Sequence, residues 1–469
     1  MKEKIKNSKG ITLIALIITI IILVILAAVS VRAVYEMGIV GYAINGTQQY
    51  AEKAKEENQM LDETGRRIED AVAKAKEIQG ENGSETTPKG PTGKPLVNSE
   101  TVSEIVTGTE PLKGEDKYGN PITIPVGFKV ASDSGEDVTQ GIVIEDNDLY
   151  EYTDGTKRGN QYVWIPTGTI HTDTAMTAAN DKTIIAGRYE FANGTSNYTD
   201  ESGTTTTTAP AKGTPILKQR LANYATQPTN IIYHSTSSDP QHGIVSATNG
   251  EIVIGSYYYE VSEYRKGIAN SNTTGLNRTA ASLSSFKTSV EQNGGYYIAR
   301  YEASWETENK VKSRKTEITS SGKRTNGQLW NYVTEIEAAG YCQALQNEYT
   351  GINSDLMNSY AWDTAIVFMQ TIDDRADKTT PYSYQTSKNT SGPNNTGVNN
   401  DEVCKINDMA SNDFEWTTEY SARQRSWNAS PCVYRGGSYF NTPYYTALRS
   451  SLSTAYSDKY CTFRPTLYL

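Results

Sequence analysis

Apolar and polar positions divide the chain into stretches of different rhythm. From Ile11 to Val31 no residue is charged, and "ITLIALIITIIILVILAAVSV" is almost wholly apolar. At about 1.5 Å per residue this run predicts a helix of roughly 31 Å, enough to cross a bilayer core. Residues 32–79 mix charged and apolar residues at helical spacing, with Met60, Ile68, Val72 and Ala75 on one stripe. That pattern predicts a solvated helical stalk. Over 80–100 the periodicity ends, and "GENGSETTPKGPTGKP" reads as a flexible linker. From about 101 the period shortens to that of strands. "NPITIPVGFKVA" and "QGIVIED" predict a small β lead-in over 101–159, and "GNQYVWIPTG" opens a larger domain over 160–469. Within that domain, 170–280 is rich in Thr, Asn and Ser and predicts a polar, loop-rich insertion with a few strands, such as "EIVIGSYYYEV".

Helical spacing returns at Leu283, Phe286 and Val290, with Asn293-Gly294 as the stop. Thr334-Glu335-Ile336-Glu337 has the spacing of a capping box, followed by Ala338, Tyr341, Cys342 and Leu345 on one face. "YAWDTAIVFMQ" predicts another helix, with Trp362, Ala365, Ile366 and Met369 on its apolar stripe. Residues 372–403 predict a long polar loop. The fold class expected is therefore α+β, behind a long N-terminal hydrophobic helix and stalk.

Charge narrows the function classes. The formal net charge of -10, with no basic run beyond the first ten residues, argues against a surface that works by neutralising phosphates, so no nucleic-acid partner is expected. Three histidines leave little material for a His-based metal site or triad. Tyrosine (32) far outnumbers phenylalanine (7), which suits either half-buried strands or a recognition surface built on large rigid rings. Lys2, Lys4, Lys6 and Lys9 precede the apolar run and would hold its front end in the cytoplasm. The expected location is the cell membrane, single-pass, with the C-terminal domain outside the cell. Four cysteines in such a compartment allow three disulfide connectivities. We expect Cys404 with Cys432, and a buried thiol at Cys342.

Lys9-Gly10-Ile11-Thr12-Leu13-Ile14 resembles the prepilin motif of type IV pilins. The resemblance implies a leader over 1–10, cleavage between Gly10 and Ile11 by a prepilin peptidase, and a pilin-like helix over 11–31. Other pilin subunits are then implied partners. Pilins carry Glu at the fifth mature position, where this chain has Ala15. That departure favours a minor or tip subunit, or a plain anchor, over a repeating building block.

The larger domain resembles the formylglycine-generating-enzyme-like (sulfatase-modifying-factor-like) domain, a variant of the C-type lectin fold. The matching pieces occur in order: "VWIPTG", "YYIARYEAS", "AWDTA", "DMASNDFEWT", "YRGGSY" and "TFRP". Ser411 and Thr462 depart from the glycines usual in that family. The resemblance implies a structural frame of Asp408, Trp416, Arg435, Gly436, Gly437 and Arg464. Oxidase members use two copper-binding cysteines, which align here with Asn441 and Thr446. Neither supplies a soft thiolate, so we expect no enzyme and no cofactor beyond a structural calcium held by Asp413 and Glu415.

Ser438 to Phe463 contains no Glu, Gln, Met or Trp. This resembles the variable segment of proteins diversified by retroelements, whose rewritten codons cannot encode those types. The segment reads as a ligand-binding surface made of Tyr439, Phe440, Asn441, Tyr444, Tyr445, Thr446, Tyr456, Asp458 and Tyr460, displayed on solvent for a protein or glycan ligand. Other readings are a structural minor pilin and, disfavoured by Asn441 and Thr446, a formylglycine-type oxidase.

Overall fold

The computed structural model describes residues 104–191, 198–224, 258–260, 283–306, 310–316, 328–373, 380–389, 392–393, 395–421, 424–425, 428–429, 432–440, 444–453 and 455–469. The expected leader with Gly10 and Ile11, the apolar helix, the stalk, the linker and Asn441 lie outside these residues. Among those described, no helix is long and apolar enough to cross a membrane. Strands dominate, with a few helices, and the fold is α+β.

In chain order the principal elements begin with β1 (Lys129–Val130), β2 (Val143–Glu145), β3 (Gln161–Pro166), β4 (Gly187–Glu190), β5 (Ile216–Arg220) and β6 (Tyr258–Glu260). Next are α1 (Leu283–Asn293), β7 (Gly295–Ala299), α2 (Glu335–Ala344), β8 (Asn353–Leu356) and α3 (Ser359–Ile372). The chain ends with β9 (Phe414–Ser421), β10 (Cys432–Arg435), β11 (Arg449–Leu452), β12 (Cys461–Phe463) and β13 (Pro465–Tyr468).

An antiparallel sheet runs in the order β8-β13-β7-β3-β2-β1. Every residue of β3 is buried, so this strand reads as a continuous apolar run rather than an alternating one. The reason is that both its faces are covered: Trp164, Phe286 of α1, Tyr296 and Trp362 of α3 belong to one core. Because β1 and β2 pair into this sheet beside β3, the lead-in expected over 101–159 is part of the same sheet as the larger domain.

A second sheet runs β6-β9-β10-β11, with β12 parallel to β9. It packs with α2 around Trp330, Trp416 and Phe463. Thr334 caps α2 through a complete capping box with Glu337, which satisfies orphan amides at both positions.

Within 170–280 the described residues include strands that pack on the rest of the fold. β4 and β5 pair with each other, and β6 forms the edge beside β9. The Gly187 amide donates to Thr364 Oγ1 (3.0 Å) and the Tyr189 amide to Asp363 Oδ2 (2.9 Å), both on α3. Tyr189, Phe191 and Leu221 join the core. This explains why α3 is buried well beyond its predicted stripe, at Tyr360, Asp363 and Thr364 as well.

Candidate functional site

The site is assembled where the two sheets meet. Pairing places Glu415 of β9 opposite Arg435 of β10 on one side and Thr462 of β12 on the other. Arg464 follows β12 and precedes β13, so it stands at the crossing from one sheet to the other. Its Nε and Nη2 grip both oxygens of Glu415 (3.0 and 2.6 Å). Nη1 donates to the Ala299 carbonyl (2.7 Å) and Nη2 to that of Asn407 (2.8 Å). The planar guanidinium supplies this fork, which no other side chain can. Burial works against the Arg464 charge, yet Glu415 more than offsets it and holds its pKa above the ordinary value.

A second buried network surrounds Arg435. Its Nη2 donates to Asp363 Oδ1 (2.6 Å), its Nε to the Leu448 carbonyl (2.8 Å), and its plane lies over the Trp362 ring. Arg449 bridges Asp363 Oδ2 (2.9 Å) and Glu419 Oε2 (2.8 Å), and Arg188 from β4 also pairs with Glu419. Burial alone would raise both carboxyls, but the surrounding guanidiniums hold Asp363 and Glu419 below their ordinary values. Sequence reasoning missed Arg188, Asp363, Glu419 and Arg449. A lone carboxylate within the apolar stretch of α3 was the available signal for Asp363.

Gly436 and Gly437 permit close packing on the Met409–Ala410 turn. A Cβ on Gly436 would meet the Met409 carbonyl oxygen at 2.8 Å, and one on Gly437 the Ala410 carbonyl oxygen at 1.9 Å. Gly436 also has φ +88. Trp416 donates from Nε1 to the Val333 carbonyl (2.9 Å). Asp408, itself at φ +68, accepts from Asn399 Nδ2 (2.7 Å) and the Gly397 amide (2.6 Å).

The remaining carboxyls near Arg464 are poorly compensated. Burial, then neighbouring Asp408, pushes Glu302 well above the usual carboxylate range. Burial and Asp401 push Asp408 up to about 7. Burial likewise raises Asp401 and Asp413. Groups raised on folding stabilise fully below their unfolded values near 4 and lose that contribution as pH climbs towards 7. Asp363 and Glu419 have the opposite sign, losing theirs as pH falls below about 4. Thermal melts should therefore show a maximum near pH 5 and a clearly lower melting temperature at pH 8. A melting temperature rising steadily from pH 5 to 8 would contradict this balance.

Several expectations need correction. Cys404 and Cys432 are thiols in separate cores. The Cys404 thiol faces the Thr139 carbonyl and the Cys432 thiol faces Glu335, so the two do not form the expected disulfide. The calcium pair does not converge either. Glu415 spends both oxygens on Arg464, whereas Asp413 faces Asn331 Nδ2 (3.4 Å). Among the described residues no group of three or more His, Cys, Asp or Glu side chains could hold a metal. Asp413 and Glu415 do not fit a calcium ion.

The tyrosine-rich segment divides in two. Thr446 is fully buried, donating from its amide to the Gln385 carbonyl (3.0 Å). It is framework rather than surface. Tyr444 packs its ring on Phe414 (5.4 Å), Tyr456 on Trp416 (6.2 Å) and Tyr445 on Tyr384 (5.3 Å). These three rings are half-buried, and Tyr444 and Tyr456, together with Tyr460, pack against the core around Trp416. Among the described rings of this segment Phe440 alone is exposed, and with the half-buried Tyr439 and Tyr460 it forms a shelf. Phe440 is 50% exposed and lies 3.9 Å from the Tyr460 ring, which also meets Tyr439 at 5.7 Å. Asp458, half-buried beside it, accepts from the Lys459 amide (2.6 Å).

No family model matches the chain, and no curated protein matches it. Solved structures similar to part of it include the following three. PvdO from Pseudomonas aeruginosa is 12% identical over 38% of this chain and 82% of its own, with a TM-score of 0.26. CarF is 14% identical over 38% of this chain and 87% of its own, with a TM-score of 0.28. Treponema denticola variable protein 1 is 12% identical over 37% of this chain and 96% of its own, with a TM-score of 0.25. Similarity at this level assigns no activity to this chain.

Proposed function

We propose that this chain is a surface-displayed ligand-binding protein: a C-type-lectin-like domain with the frame of the formylglycine-generating-enzyme-like variety, carried on a pilin-like membrane anchor. The observation that carries the reading is the shelf of Phe440, Tyr460 and Tyr439. A large ring half exposed on a densely hydrogen-bonded frame suits recognition better than stability. The ligand is a protein or glycan, and the segment 438–463 is the part open to diversification. No catalytic role is proposed. The positions that align with the copper-binding cysteines are Asn441 and Thr446, and Thr446 is committed to Gln385. The uncharged run from Ile11 to Val31 and the preceding lysines support the anchor and its orientation.

Two measurements test this. Co-expression with a prepilin peptidase should give a chain whose N-terminal residue is Ile11. A chain starting at Met1, or beyond Ala28, would overturn the pilin-like processing. Phe440→Ala and Tyr460→Ala should each weaken capture on whole cells or on protein and glycan arrays by about 2 kcal/mol, the scale of an aromatic hot spot. Phe440→Ala should leave the melting temperature unchanged, because half the ring is already in water. Capture unaffected by either change would sink the shelf as the ligand face.

A further inference from the structure

Beneath the shelf lies a carboxylate that the frame does not use. The two neighbours of Asp413 in sequence are tied by main chain to the shelf residues. The Tyr439 amide donates to the Asn412 carbonyl (2.8 Å), and the Phe414 amide donates to the Tyr460 carbonyl (2.9 Å). Asp413 therefore sits below the seam between Tyr439 and Tyr460. It is 1% exposed. Its Oδ2 has Asn331 Nδ2 at 3.4 Å, while its Oδ1 has no hydrogen-bond partner among the described residues. The Tyr439 hydroxyl above it is also buried without such a partner. Two unpartnered polar atoms under half-buried tyrosine rings, beside exposed Phe440, are costly to the folded protein unless a ligand completes them.

The sign of that ligand follows from the surroundings. Lys459 already lays its ammonium over the Tyr460 ring, 5.1 Å from the centroid, so the chain itself shows that the shelf seats a cation. Asp458 adds a carboxylate at the rim, within electrostatic reach of both Tyr439 and Asp413. The chain as a whole carries -10, which steers basic partners towards it. Burial holds Asp413 above the usual carboxylate range, and an approaching cation favours its ionised form.

We infer that the Phe440–Tyr460 shelf, with Asp413 beneath it, is a cation subsite for the head of a lysine or arginine side chain presented by a protein partner. This rests on the reading of the shelf as the ligand face and gives that ligand a chemical class. Lys459 is the resident competitor that an incoming basic side chain displaces.

The test titrates full-length, detergent-solubilised protein with Nα-acetyl-lysine methylamide and Nα-acetyl-arginine methylamide, using the glutamine analogue as the uncharged control. Saturable binding of the two cations and not of the control is expected. Asp413→Asn should weaken it at least tenfold, and Lys459→Gln should tighten it severalfold by removing the competitor. A merely structural lysine would not give the second result, and it holds whether or not Asp413→Asn folds. Equal binding of the control, or affinities unmoved by Lys459→Gln, would overturn the assignment. If Phe440→Ala and Tyr460→Ala abolish capture while the cations do not bind, the cation assignment alone is overturned. If the cations bind as expected while capture ignores both substitutions, the subsite is supported and the ligand-face reading fails instead.

Discussion

Arg464→Ala should prevent the C-terminal domain from folding or lower its stability by about 3–5 kcal/mol, the usual cost of breaking a buried ion pair from one side. The substitution leaves both oxygens of Glu415 and the carbonyls of Ala299 and Asn407 without their donors. These acceptors belong to both sheets and to the loop between them, so the loss is not confined to one contact. Arg464→Lys should fare little better, since an ammonium is a point donor and cannot reproduce the two-pronged grip on Glu415. Lys157→Ala is the matching control. Its pair with Glu151 is exposed, with 58% and 62% of the side chains in water, and such pairs contribute at most about 1 kcal/mol. Thermal and urea melts of the three variants check the order. An Arg464→Ala protein that melts with the wild type would show that the crossing between the sheets does not depend on this guanidinium.

Gly437→Ala should be nearly as damaging, at about 3 kcal/mol or more, the upper range for forcing atoms into a packed interior. The added methyl would stand 1.9 Å from the Ala410 carbonyl oxygen. That oxygen is main chain, so no rotamer change relieves the clash, and β10 must part from the Met409–Ala410 turn. The Gly437 amide bond to the Met409 carbonyl (3.3 Å) would go with it. Gly155→Ala offers the contrast: φ there is +83, but nothing lies near its added Cβ. Its cost is only the strain of a left-handed backbone, about 1–2 kcal/mol. Equal melting temperatures for the two alanine variants would mean that the turn yields more readily than close packing allows.

Local order was legible wherever a short stretch carries its own physical reason. Thr334 and Glu337 satisfy each other's amides whatever surrounds them, so the start of α2 could be read directly. The stripe of Leu283, Phe286 and Val290 marked the buried face of α1. Among the ligand-face residues the sequence was less informative. A stretch such as 439–460 has no sustained period, so nothing in it separates exposed Phe440 from buried Thr446. Tyr444 and Tyr456 carry the same side chain as Tyr439, and only their seats against Phe414 and Trp416 give them a packing role.

By itself the sequence determined the α+β class of the described region, the helix cap, the apolar stripes and the residue types able to build a buried frame. Partner choice was decided by tertiary structure. Arg188 meets Glu419 across 231 positions, and the Tyr189 amide meets Asp363 across 174. Those pairings make the polar stretch before β6 part of the core. Tertiary structure likewise places Cys404 and Cys432 in different cores and Glu415 on Arg464. The physical reason is that periodicity reports which face of an element is buried, whereas an ion pair or a disulfide depends on where two distant elements come to rest.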